Sequence, residues 1–268
     1  MTFETLFIAA RISVTVGFLV YASWSDFKTR MVSNRVWAVY APIALGLMLA
    51  ELLLFNPSKL LFFGLSAGLT VGLAFLLFYS GGFGGADSKA LMCIAFALPF
   101  APEATTPLVN ALVSPTSQFI YPFTIFSNGV LFAALAAVYL LAYNVAWHKK
   151  NGKKMFAGTL AQESIGKKIL VLVTGYKVAV SKVKEKWHIF PMEDVDGDAE
   201  SKRKLVVVPR DEGRDQMVER LSNAVTDGKI DGYVWATPGL PMLIFITVGL
   251  VVALLYGDLV WMLVRSLI

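Results

Sequence analysis

The sequence predicts an α-helical polytopic membrane protein with six transmembrane helices and a small cytoplasmic α+β domain inserted before the last helix. Three observations lead there. The 268-residue chain is 56% hydrophobic, above the roughly 45–50% usual for soluble domains. The excess is gathered into runs approaching the ~20 residues that a helix needs to cross a bilayer. A single long polar stretch, residues 148–237, separates the last two runs.

The first run is Thr5 to Ser25, the second Val36 to Phe55 and the third Leu60 to Ser80. The fourth, Ser88 to Pro102, is short and is expected to be tilted or to start in the headgroup layer. The fifth is Phe123 to Trp147 and the sixth Leu240 to Leu263. This divides the chain into residues 1–147 (helices one to five of the membrane domain), 148–237 (the α+β domain) and 238–268 (the last helix). Within the polar stretch, "KKILVLVTGYKVAV" and "RKLVVVP" have the β-branched content of strands. "RDQMVERLSNAV" sets Met217, Val218, Leu221 and Val225 at helical spacing. The N-terminus carries Glu4 where a secretory signal would carry Lys or Arg, so the first span is expected to be retained.

Charge sets the expected threading, because short loops rich in Lys and Arg stay cytoplasmic. The loop after span one holds Lys28, Arg30 and Arg35, and Lys89 follows the loop after span three. The loop after span four has no Lys or Arg, whereas the polar stretch has seventeen. Both termini are therefore expected outside, with the first, third and fifth loops in the cytoplasm. The net charge of +5 is explained as this orientation signal, with some attraction to anionic membrane lipid, and needs no nucleic acid.

The lone cysteine, Cys93, excludes an intrachain disulfide and a multi-cysteine zinc site. The only histidines, His148 and His188, lie in the polar stretch away from any nucleophile motif. "EDVDGDAE", Glu193 to Glu200, begins like a calcium loop, but Ala199 and Leu205 stand where the invariant Gly and the bidentate Glu belong. It reads as a solvated acidic loop. Neither a metal nor a cofactor is implied.

Two carboxylates stand out. Asp26 ends span one, and Asp87 follows span three after "GGFGG". The threading puts both at similar depth on the cytoplasmic side. An isolated Asp at a helix end in the headgroup layer is cheap, and Glu51 and Asp258 are read that way. Arg11, deeper in span one, either snorkels outward or pairs with Glu4 or Glu51. A pair of carboxyls within reach is different: it shares a proton, giving one acid and one base. Such a dyad can activate water against a peptide carbonyl and protonate the leaving amine. Gly81, Gly82, Gly84 and Gly85 would let an unwound backbone approach an extended substrate; the plain alternative is a flexible interhelical loop.

"GGAD", Gly84 to Asp87, resembles the G-x-(hydrophobic or small)-D signature of membrane aspartyl proteases, the broad class that includes presenilin and the type IV prepilin peptidases. "DFKTRMVSN", Asp26 to Asn34, resembles the D-x-x-x-R-x-(I/V)-x-N segment of prepilin peptidases, with Asp26, Arg30, Val32 and Asn34 at its fixed positions. Arg30 and Asn34 also read plainly as an orientation charge and a helix N-cap. The paired cysteines common in bacterial prepilin peptidases are missing. "TPGLPMLIF", Thr237 to Phe245, resembles the start of the last span in the archaeal branch, so the archaeal preflagellin (archaellin) and type IV prepilin peptidases are the resembled group.

The resemblance implies a metal-free aspartyl endopeptidase that removes a short basic leader from preflagellin or type IV prepilin-like precursors at the cytoplasmic face of the cell membrane. It implies Asp26 and Asp87 as the catalytic pair, and Gly84, Gly85, Arg30 and Asn34 as residues that shape the site or bind substrate. Two rivals come from the residues alone. One is a small proton-coupled transporter using the same two Asp as a relay; the other is a membrane anchor that presents its polar domain to partners.

Overall fold

The structure is a computed structural model, described here for residues 2–102, 113–152, 154–195, 202–207, 213–237 and 241–268. It divides into two compact units, Met1–Ala133 with Pro241–Ile268, and Ala134–Leu240.

The first unit is helical. Its long helices are α1 (Phe3–Thr29), α2 (Asn34–Phe55) and α3 (Leu60–Tyr79), followed by the shorter α4 (Gly85–Ala97) and α5 (Pro115–Phe119). α6 (Tyr121–Asn151) contributes its residues up to Ala133 to this unit and the rest to the second. α10 (Met242–Leu255) and α11 (Leu259–Leu267) close the unit. Among the described residues, four helices are long and apolar enough to cross a membrane: α1, α2, α3 and α6. The count becomes five if α10 and α11, bent by 71°, are taken as one broken span.

Two expected spans therefore differ from the sequence reading. The fourth is only the 13 residues of α4, ~20 Å of helix against ~30 Å of hydrocarbon. Its apolar residues face protein: Ala90, Leu91, Cys93, Ile94, Ala95 and Ala97 are all buried, in a packing made by α2, α3, α1 and α10. Hydrophobicity on every side marks an interior helix as well as a lipid-exposed one. The sixth is broken at Gly257, which has φ 92°. Asp258 caps α11 through the Trp261 N–H (2.9 Å) and accepts from Ser114 Oγ (2.5 Å). Asn128 secures the break, donating to the Gly257 carbonyl (2.9 Å) and accepting from the Leu259 N–H (3.1 Å).

Asp258 is thus a buried helix cap that also holds Ser114, and Glu51 is buried as well. Arg11 Nε and Nη2 each donate to the Glu51 carboxylate at 2.7 Å, and Arg11 Nη1 donates to the Ala97 carbonyl at 2.6 Å. Both side chains are buried, so one guanidinium joins α1, α2 and the C-terminal end of α4. Elsewhere α6 and α10 cross at two glycines. A Cβ at Gly249 would lie 2.3 Å from the Ile125 carbonyl oxygen, and one at Gly129 would lie 2.9 Å from that of Phe245. Small residues permit such close helix contacts in membrane bundles.

The second unit is mixed α and β. α7 (Ile165–Thr174), α8 (Val180–Glu185) and α9 (Arg214–Thr226) accompany β1 (Tyr176–Ala179), β2 (Phe190–Pro191), β3 (Glu193–Val195), β4 (Arg203–Leu205) and β5 (Tyr233–Thr237). β5 lies between β1 and β2, antiparallel to both, with Tyr176 opposite Ala236 and Phe190 opposite Thr237. β3 and β4 pair as a separate antiparallel ribbon. α9 forms where its spacing predicts and buries Met217, Val218 and Leu221.

In "KKILVLVTGYKVAV" only Tyr176–Ala179 is a strand; the part before it is α7, capped by Ser164. β-branched content describes a residue's fit to a half-buried surface, and a cap and a partner surface override it. "EDVDGDAE" also differs from a solvated loop where it is described. Glu193 is fully buried, accepting from Lys177 Nζ (2.9 Å), the Trp235 N–H (2.8 Å) and Arg203. Asp194 accepts two bonds from Arg220, at 3.0 and 2.9 Å. Residues 196–201 lie outside the described residues, as does the Pro238–Leu240 part of "TPGLPMLIF".

Candidate active site

Asp26 sits one turn before the end of α1, half-buried. The helix stops at Arg30, whose N–H donates to the Asp26 carbonyl at 2.8 Å. Arg30 has φ 54° and is, among the described residues, the only non-glycine at positive φ. That conformation usually falls to glycine at a helix C-terminus. The turn is braced by Ser25 Oγ donating to the Met31 carbonyl (2.9 Å) and by Thr29 Oγ1 donating to the Ser25 carbonyl (2.9 Å). The Arg30 charge acts electrostatically on the Asp26 carboxylate. Past the turn, Ser33 caps α2 through the Arg35 N–H, and Asn34 is the first helical residue rather than the cap.

Asp87 is positioned by the glycine stretch. Gly81, at φ 76°, lets the chain leave α3. The N–H groups of Gly82 and Phe83 both return to the Leu77 carbonyl, at 2.9 and 3.0 Å. The stretch is therefore a tight, hydrogen-bonded turn of non-helical backbone between α3 and α4. Gly84 caps α4, Gly85 is already helical, and Asp87 is the third helical residue. Its Oδ2 accepts the Gly84 N–H at 3.1 Å, which satisfies one of the donors a helix start leaves open. A Cβ at Gly84 would lie 3.1 Å from that same oxygen, whereas one at Gly85 would meet Phe78 Cε2 at an ordinary 3.7 Å.

The packing of α4 on α1 and α10 brings these pieces together. Asp87 lies within electrostatic reach of Asp26 and of the backbone N–H of Leu243, in the first turn of α10. Its carboxylate thus lies at the N-terminus of α4 and near that of α10, and each favours negative charge. Asn34 Oδ1 accepts from Lys89 Nζ at 2.7 Å, linking the start of α2 to α4. Of the six residues singled out in the sequence, Asp26, Arg30 and Asp87 interact electrostatically, and Gly84 touches Asp87 directly. Gly85 contributes backbone, and Asn34 joins through Lys89.

Sequence reasoning used Lys89 only as an orientation charge and passed over Leu243. The signal for Lys89 was its place two residues after Asp87; a backbone N–H such as that of Leu243 leaves no trace in residue identity. Among the described residues, no group of three or more His, Cys, Asp or Glu is placed to hold a metal ion.

The first unit is thus a helical membrane bundle that sets Asp26 and Asp87 within electrostatic reach of one another. Residues 13–143 match the model of the type IV leader peptidase family, and residues 167–259 match that of the archaeal peptidase A24 C-terminus, type II. The chain is 26% identical over 245 residues to a preflagellin peptidase of Methanococcus voltae, covering 90% of this chain and 92% of that one. It is 24% identical over 251 residues to a preflagellin peptidase of Methanococcus maripaludis, with the same coverages. The chain belongs to the archaeal preflagellin peptidase and type IV prepilin peptidase family.

Proposed function

We propose that this protein is an aspartyl endopeptidase that removes the short basic leader from preflagellins or type IV prepilin-like precursors, with Asp26 and Asp87 as its catalytic pair. The observation that carries the reading is that Asp87, held in the first turn of α4 by the Gly84 N–H, lies within electrostatic reach of Asp26. The names and near full-length coverage of the two relatives support the substrate class.

In the working state one carboxyl is protonated and its partner ionised, since two like charges at short range cannot both be held cheaply. The carboxylate takes a proton from water as the water oxygen attacks the scissile carbonyl carbon. The protonated partner donates to the leaving amide nitrogen as the C–N bond breaks. No covalent enzyme intermediate forms, and the products are the leader's new carboxylate and the mature N-terminal amine. Gly84 keeps side-chain atoms away from Asp87, while Arg30 and Asn34 shape the rim. The charges of Lys28, Arg30 and Arg35 favour the cytoplasmic face as the side of cleavage.

The test incubates detergent-purified protein with leader-bearing preflagellin and compares wild type with Asp26→Asn and Asp87→Asn. Leader removal is expected in wild type and to be lost in both variants, each retaining its wild-type chromatographic profile. Cleavage that survives either substitution would sink the dyad, whereas no cleavage by the wild type, on this or other pilin-like precursors, would turn attention to the proton-relay alternative.

A further inference from the structure

α7 in the second unit turns its apolar face outward. Ile165 is 75% exposed, Ile169 54% and Leu170 46%. With half-buried Val173 these residues form one stripe at helical spacing, while Val171 faces inward against Leu160, Met192 and Trp235. A soluble helix shows the reverse arrangement.

Where that helix is held decides what covers it. Asn144 of α6 is buried and donates through Nδ2 to the carbonyls of Leu172 (2.8 Å) and Gly175 (2.7 Å), the open acceptors at the end of α7. α6 is one of the helices long and apolar enough to cross a membrane. Counting the ~20 residues of a crossing from Tyr121 brings the chain to the headgroup layer a few residues before Asn144. Trp147 follows, the residue type that collects at that level, then Lys149 and Lys150. The exposed apolar surface of α6 itself, at Leu135, Val138 and Tyr139, belongs to the same unit. Exposed Lys149, Lys150 and Lys154, with half-buried Lys168, give the surroundings a positive charge.

We propose that α7 is an interfacial helix whose Ile165, Ile169, Leu170 and Val173 face rests in the headgroup–acyl boundary of an anionic bilayer. A helix with an apolar face and flanking cations binds there through buried apolar area plus attraction to anionic lipid. It adds a surface anchor at the end of α6 to the spans themselves.

The test places nitroxide labels on the full chain, in a Cys93→Ala background, as Ile169→Cys and, for comparison, Lys184→Cys. The protein is studied in bilayers of phosphatidylcholine with and without phosphatidylglycerol. Oxygen, enriched in lipid, is expected to relax the label at 169 more effectively than a water-soluble nickel chelate, with the opposite order at 184. Withdrawing phosphatidylglycerol is expected to reduce the difference. Equal behaviour at the two sites overturns the proposal, and indifference to phosphatidylglycerol overturns its anionic part. A dry label at 169 whose spectrum is broadened by a second label, and sharpens on dilution with unlabelled chain, assigns the face to another copy and also overturns it. The unlabelled wild-type protein gives an independent reading. A photoactivatable group on the lipid near the glycerol should attach to residues 165–173, and failure to do so counts against the proposal.

Discussion

The Gly84 N–H donates to Asp87 Oδ2 at 3.1 Å, and a methyl group added at Gly84 would lie 3.1 Å from that same oxygen. Gly84 therefore serves Asp87 twice, as donor and as space. Gly84→Ala is expected to rotate the carboxylate and lower leader removal by between about tenfold and a hundredfold, the range seen when a reacting group is slightly misplaced. Gly85→Ala meets only an ordinary contact at a helical position and should stay within about twofold of wild type, as mild surface changes do. Initial rates on one preflagellin substrate separate the two, and equal losses would show that the glycines act through the turn as a whole.

Arg30 holds a backbone conformation that costs an L-residue roughly 1–2 kcal/mol. Glycine would relieve it. Arg30→Gly is expected to raise or leave unchanged the midpoint of thermal unfolding while reducing cleavage, because the charge beside Asp26 is lost. Full activity in this variant would reduce Arg30 to its helix-ending and orienting roles.

The Arg11–Glu51 pair is buried and bidentate. Removing one partner leaves the other charge uncompensated, so Glu51→Ala should destabilise the protein by about 3–5 kcal/mol. Replacing both, Arg11→Met with Glu51→Leu, should recover much of that loss. Thermal unfolding of the three variants in detergent checks this; a double variant as unstable as the single one would show that the Arg11 bond to Ala97 dominates.

Glu163 supplies a pH dependence outside the membrane spans. Its hydrogen bond from Lys167, reinforced by the Leu205 N–H, holds the carboxyl below its ordinary value of 4.5. A carboxylate with a depressed folded-state pKa stabilises fully above the unfolded value, and that contribution disappears as the pH falls through the folded one. Protection of the Leu205 amide against hydrogen exchange should therefore weaken in acid below about pH 4.5. Glu163→Gln should lower protection at neutral pH and flatten this dependence.

Much of this molecule is legible along the chain. The hydrophobic runs locate α1, α2, α3 and α6, and the spacing of Met217, Val218 and Leu221 locates α9. Two short motifs lead to the family and single out Asp26 and Asp87. The run Ser88–Pro102 misleads because a helix buried among other helices is as apolar as one in lipid. "KKILVLVT" misleads because β-branched residues also suit a helix that has a cap and a surface to rest on.

Composition, periodicity and local motif were enough to determine a membrane protein of this family, since each depends on residues close in sequence. Only the tertiary structure decided that Arg11 answers Glu51, that α4 is an interior helix and that the last span breaks at Gly257. It also brought Asp87 within electrostatic reach of Asp26. These depend on distance between residues far apart in the chain, and on backbone groups that every residue carries alike.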